Sequence, residues 1–460
     1  MESQDIRLQS TVTTEDIQRA HDRLRVRRLR AGGGAGRWLL LLFVLVGPGI
    51  LVMLGENDGP SMLSYAATGA AYGIGFFLPF IFLTFAMAFV VQEMTVRLGA
   101  VTHHGHAELI FLRFGKFWGR FAMADLAIGN YLTVITEFIA IRAGLSFFGI
   151  SAPVAVAAAF LVATGVLLSR SYWTWERVTL ALAVFNFLFV PVALLAHPDW
   201  GAIGRSLVTW GPLPGGFNQQ FMLLIMADIG ATVTPWMLFF QQSAVMDKGL
   251  TPKDIKHGQL DTALGAVMAA VIAGATLIGT APLFAHHIDA SSFQAAEFAQ
   301  ALQPYIGRLG ATLFALGIIE AGLVAIITIS SSSAYAFGEV TRAPHSLNRP
   351  ITEAKGFYAV AIGGAALAAL LVLIPGAPLV LIVLVVNVIA TLAMPPALVF
   401  LMLLVNDRDI MGEHASGRVA NVLGLAVLVF LCGAGLVWAV MTVASGFFPS
   451  QAASLVMGWL

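Results

Sequence analysis

Charge is scarce in this sequence: 11% of its 460 residues are Asp, Glu, Lys or Arg, against about 25% in ordinary soluble domains. With 58% hydrophobic residues the chain cannot cover itself with polar surface, so its surroundings must be lipid. Neither sign is in excess, with 25 basic residues against 25 acidic, which argues against a nucleic-acid partner. Cysteine is almost missing. Cys432 stands alone in an apolar run, which excludes an intrachain disulfide and a cysteine metal cluster. A phosphate loop and a nucleophile–base pairing are also wanting, so neither an enzyme nor a resident cofactor is expected. Residues 1–37 lack the apolar core of a cleavable signal. They read as a cytosolic tail, helical over 15–29, with Arg23, Arg25, Arg27, Arg28 and Arg30 set to meet anionic lipid.

Long apolar runs are what the sequence does have. A membrane crossing needs about 20 mostly apolar residues, and eleven runs qualify: 38–71, 75–97, 118–146, 152–169, 177–197, 217–246, 258–284, 307–337, 357–374, 378–405 and 419–445. Cytoplasmic loops carry excess Lys and Arg. With the N-terminus inside, 22 of the 25 basic residues fall on the cytoplasmic side, Arg142, Arg205 and Arg308 being the exceptions. No Lys or Arg follows Arg418, as expected of an exported C-terminus. The chain is thus expected to be an all-α polytopic protein of an inner or plasma membrane. Its parts are the tail 1–37, a first five-helix block 38–200, a second 201–405, and a linker with an eleventh helix over 406–460.

Two spans carry breaks. In span 1, Gly55-Glu56-Asn57-Asp58-Gly59-Pro60-Ser61 interrupts the apolar run; in span 6, Gly230-Ala231-Thr232-Val233-Thr234-Pro235 does the same. Each break opens a five-helix block, and in each a Gly precedes a Pro by five residues. Proline removes an amide hydrogen and clashes with the preceding turn, while glycine tolerates unwound backbone. Such backbone is tolerable in hydrocarbon only beside a protected cavity. Interrupted helices at matching positions of two halves point to a transporter's substrate site. Five being odd, the two blocks run in opposite directions, which makes the repeats inverted. Intramembrane carboxylates at such a place are functional by default. The donors are Asp58, Asn57 or Ser61, carbonyls freed at Ala231, and the Thr234 hydroxyl. All are oxygens, which suits Mg²⁺ or Mn²⁺ and offers nothing soft for a late transition metal.

Gly47-Pro48-Gly49 ahead of the Asp58 break resembles helix 1 of the Nramp family of divalent-metal transporters. Gln92-Glu93-Met94 to Arg97-Leu98-Gly99, Trp175-Glu176-Arg177, Ala231-Thr232-Val233-Thr234-Pro235, and Asn406-Asp407-Arg408 to Met411-Gly412-Glu413 extend the resemblance to the end of span 10. It implies a 5+5 inverted-repeat fold of the amino-acid/sodium symporter type with an eleventh helix added. It also implies a metal held between the breaks of helices 1 and 6. Where the family has Asp-Pro-Gly-Asn, this chain has Asp58-Gly59-Pro60-Ser61, so Ser61 replaces a ligand Asn. Where the family has Ala-x-x-Met-Pro-His, Ala231 is kept, Thr234 replaces the Met and Trp236 the His. Loss of the thioether is similar to the Nramp-related magnesium transporters. The family's helix 3 acid falls on Glu137, but the acid one turn earlier falls on Val134. Asn387 falls where the family has a helix 10 Gln that completes the metal shell. The resemblance therefore implies transport of Mg²⁺ or Mn²⁺ as cargo, with weak or absent proton coupling. A proton-coupled Mn²⁺/Fe²⁺ symporter and an organic-solute transporter on the same scaffold are the alternatives.

Other polar residues carry open readings. Glu56 either adds negative potential for a hydrated dication or caps the helix 6 break through a backbone amide. Asp228 faces a vestibule or a structural partner, and Glu320 takes a structural hydrogen bond or a transport role. His103, His104 and His106 read as a solvated cytoplasmic loop rather than a metal cluster. His286, His287 and Asp289 lie in the external loop between spans 7 and 8, where a cation-capture role competes with a bland one.

Overall fold

The computed structural model describes residues 47–169, 171–374 and 379–447. The N-terminal tail with its Arg-rich stretch, the start of span 1 and residues 448–460 lie outside the described residues. Regular structure among the described residues is entirely helical.

Span 1 becomes α1 (Pro48–Gly55) and α2 (Gly59–Tyr72), and spans 2 and 3 become α3 (Phe77–Thr102) and α5 (Lys116–Ser146), with the short α4 (His106–Phe114) between them. Span 4 is α6 (Ala152–Leu167). Span 5 runs through α7 (Tyr172–Ala183), a 3₁₀ segment Val184–Leu188 and α8 (Phe189–Leu195). After α9 (Trp200–Thr209), span 6 is split into α10 (Gln219–Gly230) and α11 (Pro235–Lys248). Spans 7 to 11 are α12 (Ile255–Ala285), α13 (Ala295–Thr341), α14 (Lys355–Val372), α15 (Leu379–Asn406) and, after the single turn α16 (Arg408–Met411), α17 (Arg418–Phe447). Nine of these helical runs among the described residues are long and apolar enough to cross a membrane. The broken span 1 and the shorter α6 complete the expected set. Within α13 the backbone at Gly307 is left-handed, φ 70°. This kink lies where span 8 was expected to begin.

The two breaks are shorter than the sequence implied. Gly59 and Pro60 start α2 rather than belonging to the gap, because proline's fixed φ suits a first helical turn. Asp58 is the cap, accepting the amide of Ser61 at 2.8 Å, so only 56–58 are unwound. In the second block Pro235 starts α11 in the same way, leaving 231–234. The glycines at the breaks act through size. Gly55 and Gly230 are the last residues of their helices. A Cβ on Gly230 would overlap the carbonyl of Asn387 in α15, and one on Gly55 would meet the Trp236 ring at 3.1 Å.

α1 and α2 lie along α12, and α5 lies along α13. The first contact is backbone-close: a Cβ on Gly265 would come within 2.7 Å of the Ile50 Cα. Asp261 of α12 fixes the start of α1 by accepting the amides of Gly47 at 3.1 Å and Gly49 at 2.7 Å. These contacts hold the two unwound segments at the centre of the bundle.

Candidate site between two broken helices

The breaks face each other across a short hydrogen bond. Thr234, the residue before α11, donates its hydroxyl to Glu56 Oε1 at 2.6 Å. This corrects one reading of Glu56, since its partner is a side-chain hydroxyl and not a backbone amide. Asn57 donates Nδ2 to the carbonyl of Ala269 at 3.0 Å, while its Oδ1 has no partner. Asp58 is held by Ser61 and comes against the carboxyl of Glu137, whose Oε2 also accepts the Gly59 amide at 3.1 Å. Glu56, Asn57, Asp58, Ser61, Ala231, Thr234 and Glu137 are all buried.

The remaining sequence candidates are tied nearby. The Ala231 carbonyl accepts the Tyr65 hydroxyl at 3.1 Å, so the peptide freed by the break is not idle. Asn387 reaches Ser64 Oγ at 2.9 Å, three residues beyond Ser61 on α2. Trp236, in the place of an imidazole, is buried with its indole N–H unpartnered, and its carbonyl accepts Ser332 Oγ at 3.1 Å. Asp228 accepts the Thr68 hydroxyl on both oxygens, at 3.2 and 3.1 Å. Glu320 is buried with neither oxygen hydrogen-bonded, so of its two readings the structural hydrogen bond is not made.

Apart from Ser61, sequence reasoning missed the face of α2 that does this work. Ser61, Ser64, Tyr65, Thr68 and Tyr72 recur at the three- and four-residue spacing of one helix face. They reach Asp58, Asn387, Ala231, Asp228 and Asn218 in turn. The signal was a hydroxyl stripe in an apolar run.

Beyond the Thr68–Asp228 contact a cavity of about 670 Å³ opens, lined by Ala67 and Ala71 of α2, Gln220 and Leu224 of α10, and His287 and Asp289 after α12. Asp289 accepts the amide of Ser291 at 3.0 Å, which holds its carboxyl below the ordinary range. His286 instead packs against Tyr305, with ring centroids 4.4 Å apart and the planes tilted by 34°. The other histidine run does not form a solvated loop. His106 is fully buried and His104 nearly so, the first against Gln242 at 3.2 Å and the second against Glu108 at 3.1 Å. Burial of their rings follows from α4 tucking against α5, α11 and α13. Among the described residues no three His, Cys, Asp or Glu side chains gather closely enough to hold a metal. Any ion between the breaks would therefore meet one or two carboxylates and several neutral oxygens.

A family model described as Nramp, natural resistance-associated macrophage protein-like, matches residues 49–441. The chain belongs to the Nramp family. Among curated relatives, the divalent metal cation transporter MntH of Xylella fastidiosa (strain Temecula1) is 28% identical over 308 residues, an alignment spanning 64% of each chain. MntH of Aeromonas hydrophila subsp. hydrophila is 24% identical over 400 residues, covering 85% of this chain and 93% of that one. The same fold is found in the crystal structure of the Eremococcus coleocola manganese transporter, at TM-score 0.72 and 19% identity with 93% of both chains covered. MhsT in complex with L-phenylalanine shares the fold more distantly, at TM-score 0.55 and 13% identity over 85% of this chain and 97% of that one. The protein is thus an integral membrane protein of the 5+5 inverted-repeat class with helices 1 and 6 broken.

Proposed function

We propose that this Nramp protein carries a divalent metal cation across the membrane by alternating access, with Mg²⁺ preferred over Mn²⁺ and with weak or absent proton coupling. The observation that carries the reading is the donor set of the two apposed breaks. It consists of Asp58 and Asn57, the Ser61 and Thr234 hydroxyls and the Ala231 carbonyl, all oxygen, with Asn387 of α15 bonded to Ser64, one turn along α2 from Ser61. Mg²⁺ is typically held by one or two carboxylates with waters retained. Thr234 stands where a thioether would favour softer ions, and Trp236 where an imidazole would move protons. The carbonyl end of α1 adds a negative partial charge at the same place. In support, the relatives above are named as transporters of divalent metal cations, and the solved one as a manganese transporter. The distribution of basic residues favours a cytoplasmic N-terminus and an exported C-terminus.

One observation favours the second reading, a proton-coupled Mn²⁺ symporter: Glu137 is kept, and its carboxyl meets Asp58. Uptake into proteoliposomes with the internal pH monitored separates the two. The expected result is Mg²⁺ entry without acidification, lost in Asp58→Ala. Entry of Mn²⁺ with acidification and without Mg²⁺ would establish the symporter reading instead. Amino-acid uptake blocked by Asp58→Ala without any metal requirement would make the protein an organic-solute transporter.

A further inference from the structure

We propose that α9 lies flat in the lipid interface, one face seated between headgroups and acyl chains, and that it ties the cavity lined by α2 and α10 to the bilayer. The helix is 10 residues long. Only residues 196–199 separate it from α8, a reach of at most about 18 Å from the end of span 5. Contacts with the turn between α2 and α3 fix its height more closely. Ser206 shares its hydroxyl proton between the carbonyls of Ile74 at 3.0 Å and Gly75 at 2.9 Å. Phe76 donates its amide to the Pro212 carbonyl at 3.2 Å, and its ring meets that of Trp210 at 5.8 Å. The membrane crossing of α3 starts at Phe77. α9 therefore sits at the membrane boundary.

At 3.6 residues per turn the helix divides into three sectors. Ala202, Ile203 and the buried Ser206 face the protein. Gly201, Arg205 and Thr209 form an exposed polar sector. Between them run Trp200, Gly204, Leu207 and Val208, and the three apolar side chains are 65%, 42% and 82% exposed. A helix lying on a protein in water needs a buried face and a polar one, not an exposed apolar face as well. At the membrane boundary lipid covers that face, because interfacial helices bury their apolar side about 5–10 Å into the boundary between headgroups and acyl chains. Trp200 brings the kind of ring that this layer favours. Arg205, 71% exposed and held by Asp199 at only 3.6 Å, extends from the next sector to the level of the lipid phosphates. It is one of the three basic residues that the count of cytoplasmic charge leaves over. A protein partner fits poorly, since a strip about 15 Å long falls far short of the roughly 800 Å² per side of a stable interface. The seat in lipid connects to the cavity through short links. Residues 211–218 lead from α9 into α10, and Asn218 caps α10 while accepting the Tyr72 hydroxyl of α2 at 3.2 Å. Movement of α2 and α10 must therefore drag α9 through the interface or break the Ser206 bonds.

The test is spin labelling of the full chain in a Cys432→Ala background, reconstituted into phosphatidylcholine–phosphatidylglycerol vesicles. Gly201→Cys, Gly204→Cys, Val208→Cys and Thr209→Cys are labelled one at a time. A Cβ added at Gly204 meets nothing within 4 Å, so that site accepts a label. Collisions with oxygen, which concentrates in lipid, are compared with collisions with a water-soluble nickel chelate. The oxygen-to-chelate ratio is expected to be about fivefold or more higher at 204 and 208 than at 201 and 209. Equal ratios at all four sites would put α9 in water and overturn the proposal. Collisions with neither reagent at 204 and 208 would mean that protein covers the face, which would overturn it equally. Arg205→Glu, read from the Val208→Cys label, is expected to raise chelate collisions about twofold as the helix lifts; no change would remove Arg205 from the anchor. The tie to the cavity is read by Mg²⁺ uptake and rests on the cation-transport reading above. Ser206→Ala is expected to keep the label pattern and to speed uptake about twofold, because α2 and α10 then move without dragging α9. Uptake no faster than wild type would overturn the tie. Wild-type vesicles that take up no dication would overturn the transport reading and with it the tie, but not the seat in lipid, which the labels decide.

Discussion

At the scale of single residues, the polar groups of this protein are costly enough that each one's partner carries information. Asp228 is buried in a membrane span, and Thr68 serves both its oxygens. This pair lies between the cavity lined by Ala67, Ala71 and Gln220 and the closed site below. Thr68→Val should therefore slow cation uptake while leaving equilibrium Mg²⁺ binding near wild type, and calorimetry set against uptake separates the two effects. His106 gives a pH prediction of known sign. Burial lowers its pKa from 6.5 to about 4, with Gln242 opposing. The unfolded chain takes up this proton near pH 6.5 and the folded chain only near 4, so stability from neutral His106 is full above 6.5 and lost as pH falls from there toward 4. His106→Gln should flatten that part of the thermal-midpoint curve in detergent; an unchanged slope would remove His106 from the account. Asp58, Glu56 and Thr234 were legible in the sequence because carboxylates and hydroxyls stand out in an apolar run. Tyr65 was not legible, because an isolated tyrosine in a membrane helix is ordinarily a packing residue and only the fold puts Ala231 beside it.

At the scale of elements, the broken helices were legible from Gly and Pro, but their edges were not. Proline was read as interrupting span 1, whereas Pro60 and Pro235 each lie at the start of the following half-helix. The sequence marks where hydrogen bonding stops without saying which side of the gap a proline belongs to. Asp228 and Glu320 show the same limit: composition placed them in the membrane, and only packing found a partner for one and none for the other. The start of α1 yields a prediction. Its two amides from Gly47 and Gly49 end on the carboxylate of Asp261, so α12 clamps the half-helix that also packs on α11. Asp261→Ala should free α1 from α12 and open the site on the side of Gly47 and Lys248. In a Cys432→Ala background, a cysteine replacing the buried Met237 of α11 should then react faster with a soluble thiol reagent. Equal rates with and without Asp261 would mean that the Gly265 contact alone holds α1.

For the whole molecule, the arrangement is closed at the breaks, open toward the loop after α12, and sealed at the opposite end by buried charge. Lys248 at the end of α11 meets Glu176 of α7 at 3.1 Å, with side-chain exposures of 0% and 3%, and Tyr172 shares the same carboxylate oxygen at 3.0 Å. The Lys248 ammonium also lies 5.2 Å from the Trp173 ring. A Cβ on Gly47 would overlap both charged groups, so the start of α1 passes directly over the pair. In the alternating-access cycle proposed above, this cluster would have to be released to open the second side, and the pair's energetics would set how firmly that side is shut. Removing one partner of a buried pair leaves the other charge uncompensated, at a cost of about 3–5 kcal/mol, whereas replacing both by apolar or neutral groups is often close to neutral. Lys248→Met should therefore lower stability strongly, and Glu176→Gln combined with Lys248→Met should recover much of the loss. Thermal unfolding of the single and double variants in detergent measures the coupling directly. Additive losses would mean that the two side chains act independently and that the seal rests on the Asp261 clamp. A recovered double variant that also takes up cation faster would identify the ion pair as the element that holds the second side closed.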